Sequence, residues 1–280
     1  MTQEDAFLQD ILEHRDDDVP RRIYADWLLD HDDQVRVARG EFIHLQCDLA
    51  RLSAAGSARP RELVQRERKL LEQHGREWGS LYQRLGCTCW EYRRGFVEGV
   101  GMPASAFLNQ AASLFRSTPL RELKLYAALG HMPDVASSPF LQYLQTLDLE
   151  RNDLSNCELL ALAQSPYLKQ LKTLLLWHNQ IGDEGVIALA AAELPCLDRL
   201  DLSRNLLTDE GIMAMARADW MKHVRLLDLT ANQIGDQGAL ALARMPFDAL
   251  TWLDLTKNPI GIVGQQALRE RFGPRVQVWN

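Results

Sequence analysis

Five nine-residue segments recur along the second half of the chain: LQTLDLERN ending at Asn152, LKTLLLWHN at Asn179, LDRLDLSRN at Asn205, VRLLDLTAN at Asn232 and LTWLDLTKN at Asn258. Their asparagines lie 27, 26, 27 and 26 residues apart. Each segment reads L-x-x-L-x-L-x-x-N, with Val224 in the first place of the fourth. A short unit copied at constant period cannot bury its apolar side alone, so the copies must stack into a quasi-one-dimensional array. The composition agrees, because 32 of the 47 leucines fall within residues 120–255.

Alternation in L-x-L points Leu147 and Leu149, or Leu200 and Leu202, to one face of a strand and the residues between them to the other. The asparagines Asn152, Asn179, Asn205, Asn232 and Asn258 are read as structural, satisfying backbone groups where the chain leaves the strand. The pattern resembles the leucine-rich repeat, in its ribonuclease-inhibitor-like subtype with a helix in each repeat. A degenerate copy, LRELKLYAA from Leu120, lacks the asparagine. The resemblance covers roughly residues 90–280 and implies an α/β solenoid of six or seven repeats, with parallel strands on its concave face and helices on its convex face.

After each asparagine come an apolar residue, a polar turn and a helical stretch: IGDEGVIALAAAEL, LTDEGIMAMARADW, IGDQGALALARMPF and IGIVGQQALRERF. Asp183, Glu184, Asp209, Glu210 and Asp236 fall in the first helical turn, where carboxylates favour the positive end of the helix dipole. Thr208 reads as an N-cap. Gly185, Gly211, Gly238 and Gly264 are expected to let each helix close on the strand layer, and Pro119, Pro139, Pro166, Pro195 and Pro246 to end the helices. GFVEGV with PASAFLNQAASLF reads as an irregular first repeat, and RVQVW (Arg275–Trp279) as a closing strand.

Residues 1–86 have helical periodicity instead and are read as a small all-α lobe, with residues 87–280 as the solenoid and its caps. Thr2 and Asp5 begin one helix with Phe7, Leu8, Ile11 and Leu12 on its apolar face. Pro20 begins a second carrying Ile23, Trp27 and Leu28, and further helices span about 41–52 and 60–74. YADWL (Tyr24–Leu28) and GEFIHLQ (Gly40–Gln46), within residues 4–52, resemble a short bacterial domain that accompanies repeat arrays. That resemblance implies a bacterial origin and a companion role but no active site. The segment HDDQVRVAR between the two cores is longer than the family's usual link.

Net charge −7 and pI near 5.5 argue against nucleic-acid binding and against electrostatic docking on anionic lipid. An acidic N-terminus, the lack of a long apolar run and five scattered cysteines point to a cytoplasmic, monomeric protein that neither crosses a membrane nor relies on disulfides. Chemistry is sparse. His44 and Cys47 have ligand spacing without a second pair, and Cys157 and Cys196 read as core residues. Cys87 and Cys89 are ill-spaced for a redox pair. No phosphate loop, nucleophile elbow or zinc-helix motif occurs, so neither an enzyme nor a cofactor is expected.

What remains is the outward side of the strands. One ladder reads Lys124, Asp148, Leu175, Asp201, Asp228, Asp254, and the next Tyr126, Glu150, Trp177, Ser203, Thr230, Thr256. Leu175, Trp177 and His178 interrupt the polar pattern, and Trp252 and Tyr126 add aromatics; Trp177 is either open or covered by a neighbour or the N-terminal lobe. Aromatic groups flanked by charge suit a protein-binding surface. The expected function is a non-enzymatic module holding a protein partner, anchored by Leu175, Trp177 and Trp252. Asp148, Asp201, Asp228 and Asp254 would set charge complementarity, while Arg151, Arg204 and Lys257 either steer an acidic partner or pair with the Asp row. Two alternatives are a regulator of a partner enzyme (an inhibitor or a GTPase-activating-type solenoid, acting through Arg151 or Arg204) and an enzyme using Cys87 or Cys89 as nucleophile.

Overall fold

The computed structural model describes residues 2–245, 247 and 249–278, which form two compact units. Pro246 and Trp279, given roles above, lie outside the described residues.

The first unit comprises Met1–Met102 with Asn109–Arg121. Its helices are α1 (Gln3–Glu13), α2 (Val19–Leu29), α3 (Gln34–Ala54) and α4 (Arg61–Arg84). Thr2 and Asp5 close a capping box on α1, and proline sits in the first turn of α2. Two helices are longer than the apolar period suggested. Asp33 accepts a hydrogen bond from the Val35 N–H and so starts α3 at Gln34, making helix of most of the HDDQVRVAR link. α4 runs on to Arg84. The apolar face of α2 is also rotated from the expected one: Tyr24, Ala25 and Leu28 are buried, whereas Ile23 is exposed.

The two distinctive cores of this lobe have packing roles. Tyr24 donates to Glu4 at 2.7 Å, and its ring stacks on Trp27. A Cβ on Gly40 would come within 2.6 Å of the Ala25 carbonyl oxygen, so glycine sets the approach of α3 to α2. Buried Gln46 accepts from the Gly95 N–H at 2.7 Å and donates to the Tyr92 carbonyl. That bond fixes an antiparallel hairpin of β1 (Cys89–Arg93) and β2 (Phe96–Pro103), joined by Arg94 and Gly95 with φ of 50° and 84°. Two positive-φ residues form the turn that matches strand twist. GFVEGV, read from sequence as part of an irregular first repeat, is thus one arm of a hairpin whose other arm carries no motif. Within β2, Glu98 is buried with Arg21 at 2.9 Å and Arg94 at 2.8 Å. Burial pushes the Glu98 carboxyl up, against the pull of Arg94, Arg21 and Arg121.

The second unit comprises Pro103–Leu108 with Glu122–Asn280. Helix α5 (Ala104–Ser117) belongs in part to each unit. In the repeats, strands β3 (Glu122–Tyr126), β4 (Thr146–Asp148), β5 (Thr173–Leu175), β6 (Arg199–Asp201), β7 (Leu226–Asp228), β8 (Trp252–Asp254) and β9 (Val276–Gln277) pair in parallel in chain order. Between them come α6 (Met132–Ala136), α7 (Asn156–Ala163), α8 (Asp183–Ala190), α9 (Asp209–Met215), α10 (Asp236–Arg244) and α11 (Ile262–Phe272). Leu147, Leu174, Leu200, Leu227 and Leu253 stack in register and are fully buried. The closing strand is Val276–Gln277, while Arg275 lies in the 3-10 turn before it.

Two hydrogen-bonded ladders join repeat to repeat. Each buried asparagine reaches across: Asn205 donates to the carbonyls of Leu176 and Leu202 at 3.0 Å and accepts from the Ile181 N–H at 3.1 Å. On the helical side Asn156 accepts from Gly182, Asp183 from Thr208, Asp209 from Gly235 and Asp236 from Gly264. These aspartates therefore do more than meet a helix dipole, because each secures the start of the next helix. The regular spacing of the glycines follows from the same contact. A Cβ on Gly238 would lie 2.6 Å from Asp209 Oδ1, so Gly211, Gly238 and Gly264 admit the preceding repeat's carboxylate, and Gly185 the Asn156 side chain, rather than the strand layer.

Candidate binding face

The strand register places four outward rows side by side. The first is Glu122, Thr146, Thr173, Arg199, Leu226, Trp252, and the second Lys124, Asp148, Leu175, Asp201, Asp228, Asp254. The third, just beyond the strands, holds Tyr126, Glu150, Trp177, Ser203, Thr230 and Thr256, and the fourth Ala127, Arg151, His178, Arg204, Ala231 and Lys257. Every member of the fourth row has positive φ, from 49° to 59°, without being glycine. Its amides keep bonding to the next repeat, as Arg151 N–H to Trp177 and Arg204 N–H to Thr230 carbonyls, so the sheet holds the left-handed backbone in place.

The second row is committed to the fold. One oxygen each of Asp148, Asp201, Asp228 and Asp254 accepts from the backbone N–H two residues on, at 2.8–3.0 Å. Asp148 also pairs with Lys124, which reaches Glu150 at 3.4 Å. Partial burial and then the Asp148 charge push the Glu150 carboxyl up. Asp228 is also raised, by burial and by Asp201 and Asp254 on either side, against its bonds to Thr230.

Trp177 is half-buried, with two arginines and a histidine against its ring. The Arg151 guanidinium carbon lies 4.3 Å from the ring centroid and that of Arg204 5.7 Å, with the His178 ring edge-on at 5.6 Å. Leu175 is half-buried between Asp148 and Asp201. Trp252 does not join this group: it lies three strands away and in the first row, roughly 14 Å across the sheet. Tyr126 stands at the end of β3, beside Glu150.

A sequence profile described as Leucine Rich repeat matches residues 168–190, 193–216 and 221–243. The fold is a leucine-rich-repeat solenoid with an N-terminal helical region. The plant peptide hormone receptor RGFR1, solved in complex with RGF2, is similar over 64% of this chain and 27% of the receptor chain, at 20% identity and a TM-score of 0.34. An internalin (inlF) from Listeria monocytogenes is similar over 63% of this chain and 56% of its own, at 15% identity and a TM-score of 0.38. The chain thus spans less than two thirds of either protein. A search among curated proteins found no match.

Elsewhere in the solenoid, a cleft of about 550 Å³ opens among the loops after α8 and α9, lined by Lys169, Glu193, Arg217, Trp220, Lys222 and His223. None of the face residues singled out from sequence lines it. Cysteine exposure corrects several expectations. Cys157 and Cys196, read as core, are exposed, Cys157 on the outer side of the first turn of α7 and Cys196 in the turn before β6, and Cys89 is exposed as well. Cys47 and Cys87 are buried, and burial pushes their thiols up to about 12 and about 11. His44 contacts Asp26 at 2.7 Å while Cys47 approaches the Arg94 carbonyl, so the two do not converge. Among the described residues no group of three or more potential ligands is placed to hold a metal, and no helix is long and apolar enough to cross a membrane.

Proposed function

We propose that this leucine-rich-repeat protein is a non-enzymatic scaffold that holds a protein partner on the outward side of its strands. The observation that supports this most is the Leu175–Trp177 patch. It replaces polar residues at the matching positions of the neighbouring repeats, and Arg151 and Arg204 hold its indole in one setting. A rigid aromatic anchor with mobile charged groups ordered around it is the usual make-up of a binding hot spot. Asp148, Glu150, His178 and Asp201 surround this anchor, Tyr126, Asp228 and Asp254 extend the surface to either side of it, and Trp252 serves as a second, separate contact. The helical region acts as a companion to the solenoid, in a monomeric, cytoplasmic bacterial protein.

The test is a pull-down from the native cell extract with wild type, Trp177→Ala and Trp252→Ala, each checked for folding by circular dichroism. Loss of the same partner from Trp177→Ala supports the reading. Full retention by both folded variants overturns it.

A further inference from the structure

The rows of the strand face differ in which charges are already spoken for. Each aspartate of the second row spends one oxygen on a backbone N–H, and Asp148 is further neutralised by Lys124. The fourth row is different. Arg151, His178, Arg204 and Lys257 are exposed, and among the described residues none has a carboxylate within ion-pair distance. Stacking on an indole leaves a guanidinium's in-plane donors free, and those donors match a carboxylate in bidentate geometry. Arg151 and Arg204 thus lie ready on two sides of Trp177, with much of the entropy cost of ordering them already met.

We infer that the partner enters this site with an extended acidic segment, two carboxylates flanking an apolar side chain that rests on Trp177 and Leu175. This rests on the binding-face reading above and specifies its chemistry. Arg151 and Arg204 belong to repeats two strands apart, roughly 10 Å, which an extended segment spans in about three residues. The acids are therefore about three residues apart in the segment. Asp201, Asp228 and Asp254 stand two rows in from the arginines and repel a uniform polyanion, which disfavours nucleic acid as the occupant. The acidic row sets where the segment's charge must stop, and the arginines set where it must be.

Selection from a phage-displayed library of random dodecapeptides on the whole protein reads this chemistry without knowledge of the natural partner. The expected enrichment is a pair of acids about three residues apart with an apolar residue between them. Fluorescein-labelled copies of the selected peptides, followed by anisotropy, should bind about tenfold or more weakly to Arg151→Ala and to Arg204→Ala. Selection on Arg151→Glu/Arg204→Glu should return basic peptides instead. Peptides that need Trp177 yet carry no carboxylates, or ignore both arginines, overturn this inference and leave the face reading intact. Peptides indifferent to Trp177→Ala overturn the face reading itself. A selection without binders, or a single-stranded oligonucleotide binding more tightly than any peptide, counts against both.

Discussion

Replacing Asn205 by alanine tests how far the asparagine ladder, rather than leucine burial alone, holds the repeats together. The side chain is only 5% exposed. Its Oδ1 accepts from the Ile181 N–H, and its Nδ2 donates to the carbonyls of Leu176 and Leu202. The three consequences differ. Leu176 also accepts from Asn179 and Leu202 from Asn232, so each carbonyl keeps one donor after the truncation. The Ile181 N–H keeps none and is left buried and unpaired, at about 1–3 kcal/mol. Two lost bonds to carbonyls that stay partnered add about 1 kcal/mol each. The expected destabilisation is therefore about 3–5 kcal/mol, a large part of an ordinary domain's stability. Guanidinium unfolding followed by far-ultraviolet circular dichroism measures it. A lower slope alongside the lower midpoint would mean that the array splits at this interface, as nearest-neighbour coupling allows. A loss below about 1 kcal/mol would refute the ladder as a stabilising element and leave the leucine stack to explain the fold.

Three other outcomes follow from the geometry. The Asp228 carboxyl is raised in the fold, so folding favours its protonated form and stability falls as pH climbs through that window. Asp228→Asn keeps an acceptor for the Thr230 N–H and removes the charge, so it should unfold at higher denaturant than wild type at pH 7 and nearly equally at about pH 3; a less stable variant at pH 7 contradicts this. Gly238→Ala forces a methyl within 2.6 Å of Asp209 Oδ1 and 2.8 Å of Ile234, whereas at Gly182 the nearest atom is 3.5 Å away. Thermal unfolding should show a loss of about 1–3 kcal/mol for the first and under about 1 kcal/mol for the second, and equal losses would remove the steric argument. A thiol reagent at neutral pH should modify Cys89, Cys157 and Cys196 quickly and reach Cys47 and Cys87 only after denaturation. Rapid native labelling of Cys87 would revive it as a nucleophile.

The solenoid was legible because its constraint is periodic: a leucine that fails to fill its strand position leaves a gap in every layer, so the requirement is written five times over. The registers of Leu147, Leu174 and Leu200, and the caps at Thr2 and Thr208, follow from rules that act within a few residues. The hairpin at Arg94–Gly95 is not legible in the local pattern because its turn is held by Gln46, 49 positions away. The exposure of Cys157 in α7 and of Cys196 in the turn before β6 is not legible, because repeat position does not tell which way a side chain on the helical side faces.

On the binding face the division is sharper. Sequence alone determined which residues point outward from the strands, since alternation has a period of two and admits no slip once one face is buried. Only the tertiary structure decided which of those charges remain available. An aspartate bonded to the backbone N–H two residues on and an arginine lying over the indole of a neighbouring repeat look alike as letters, and only these contacts make the first a brace of the fold and leave the second without a carboxylate partner among the described residues.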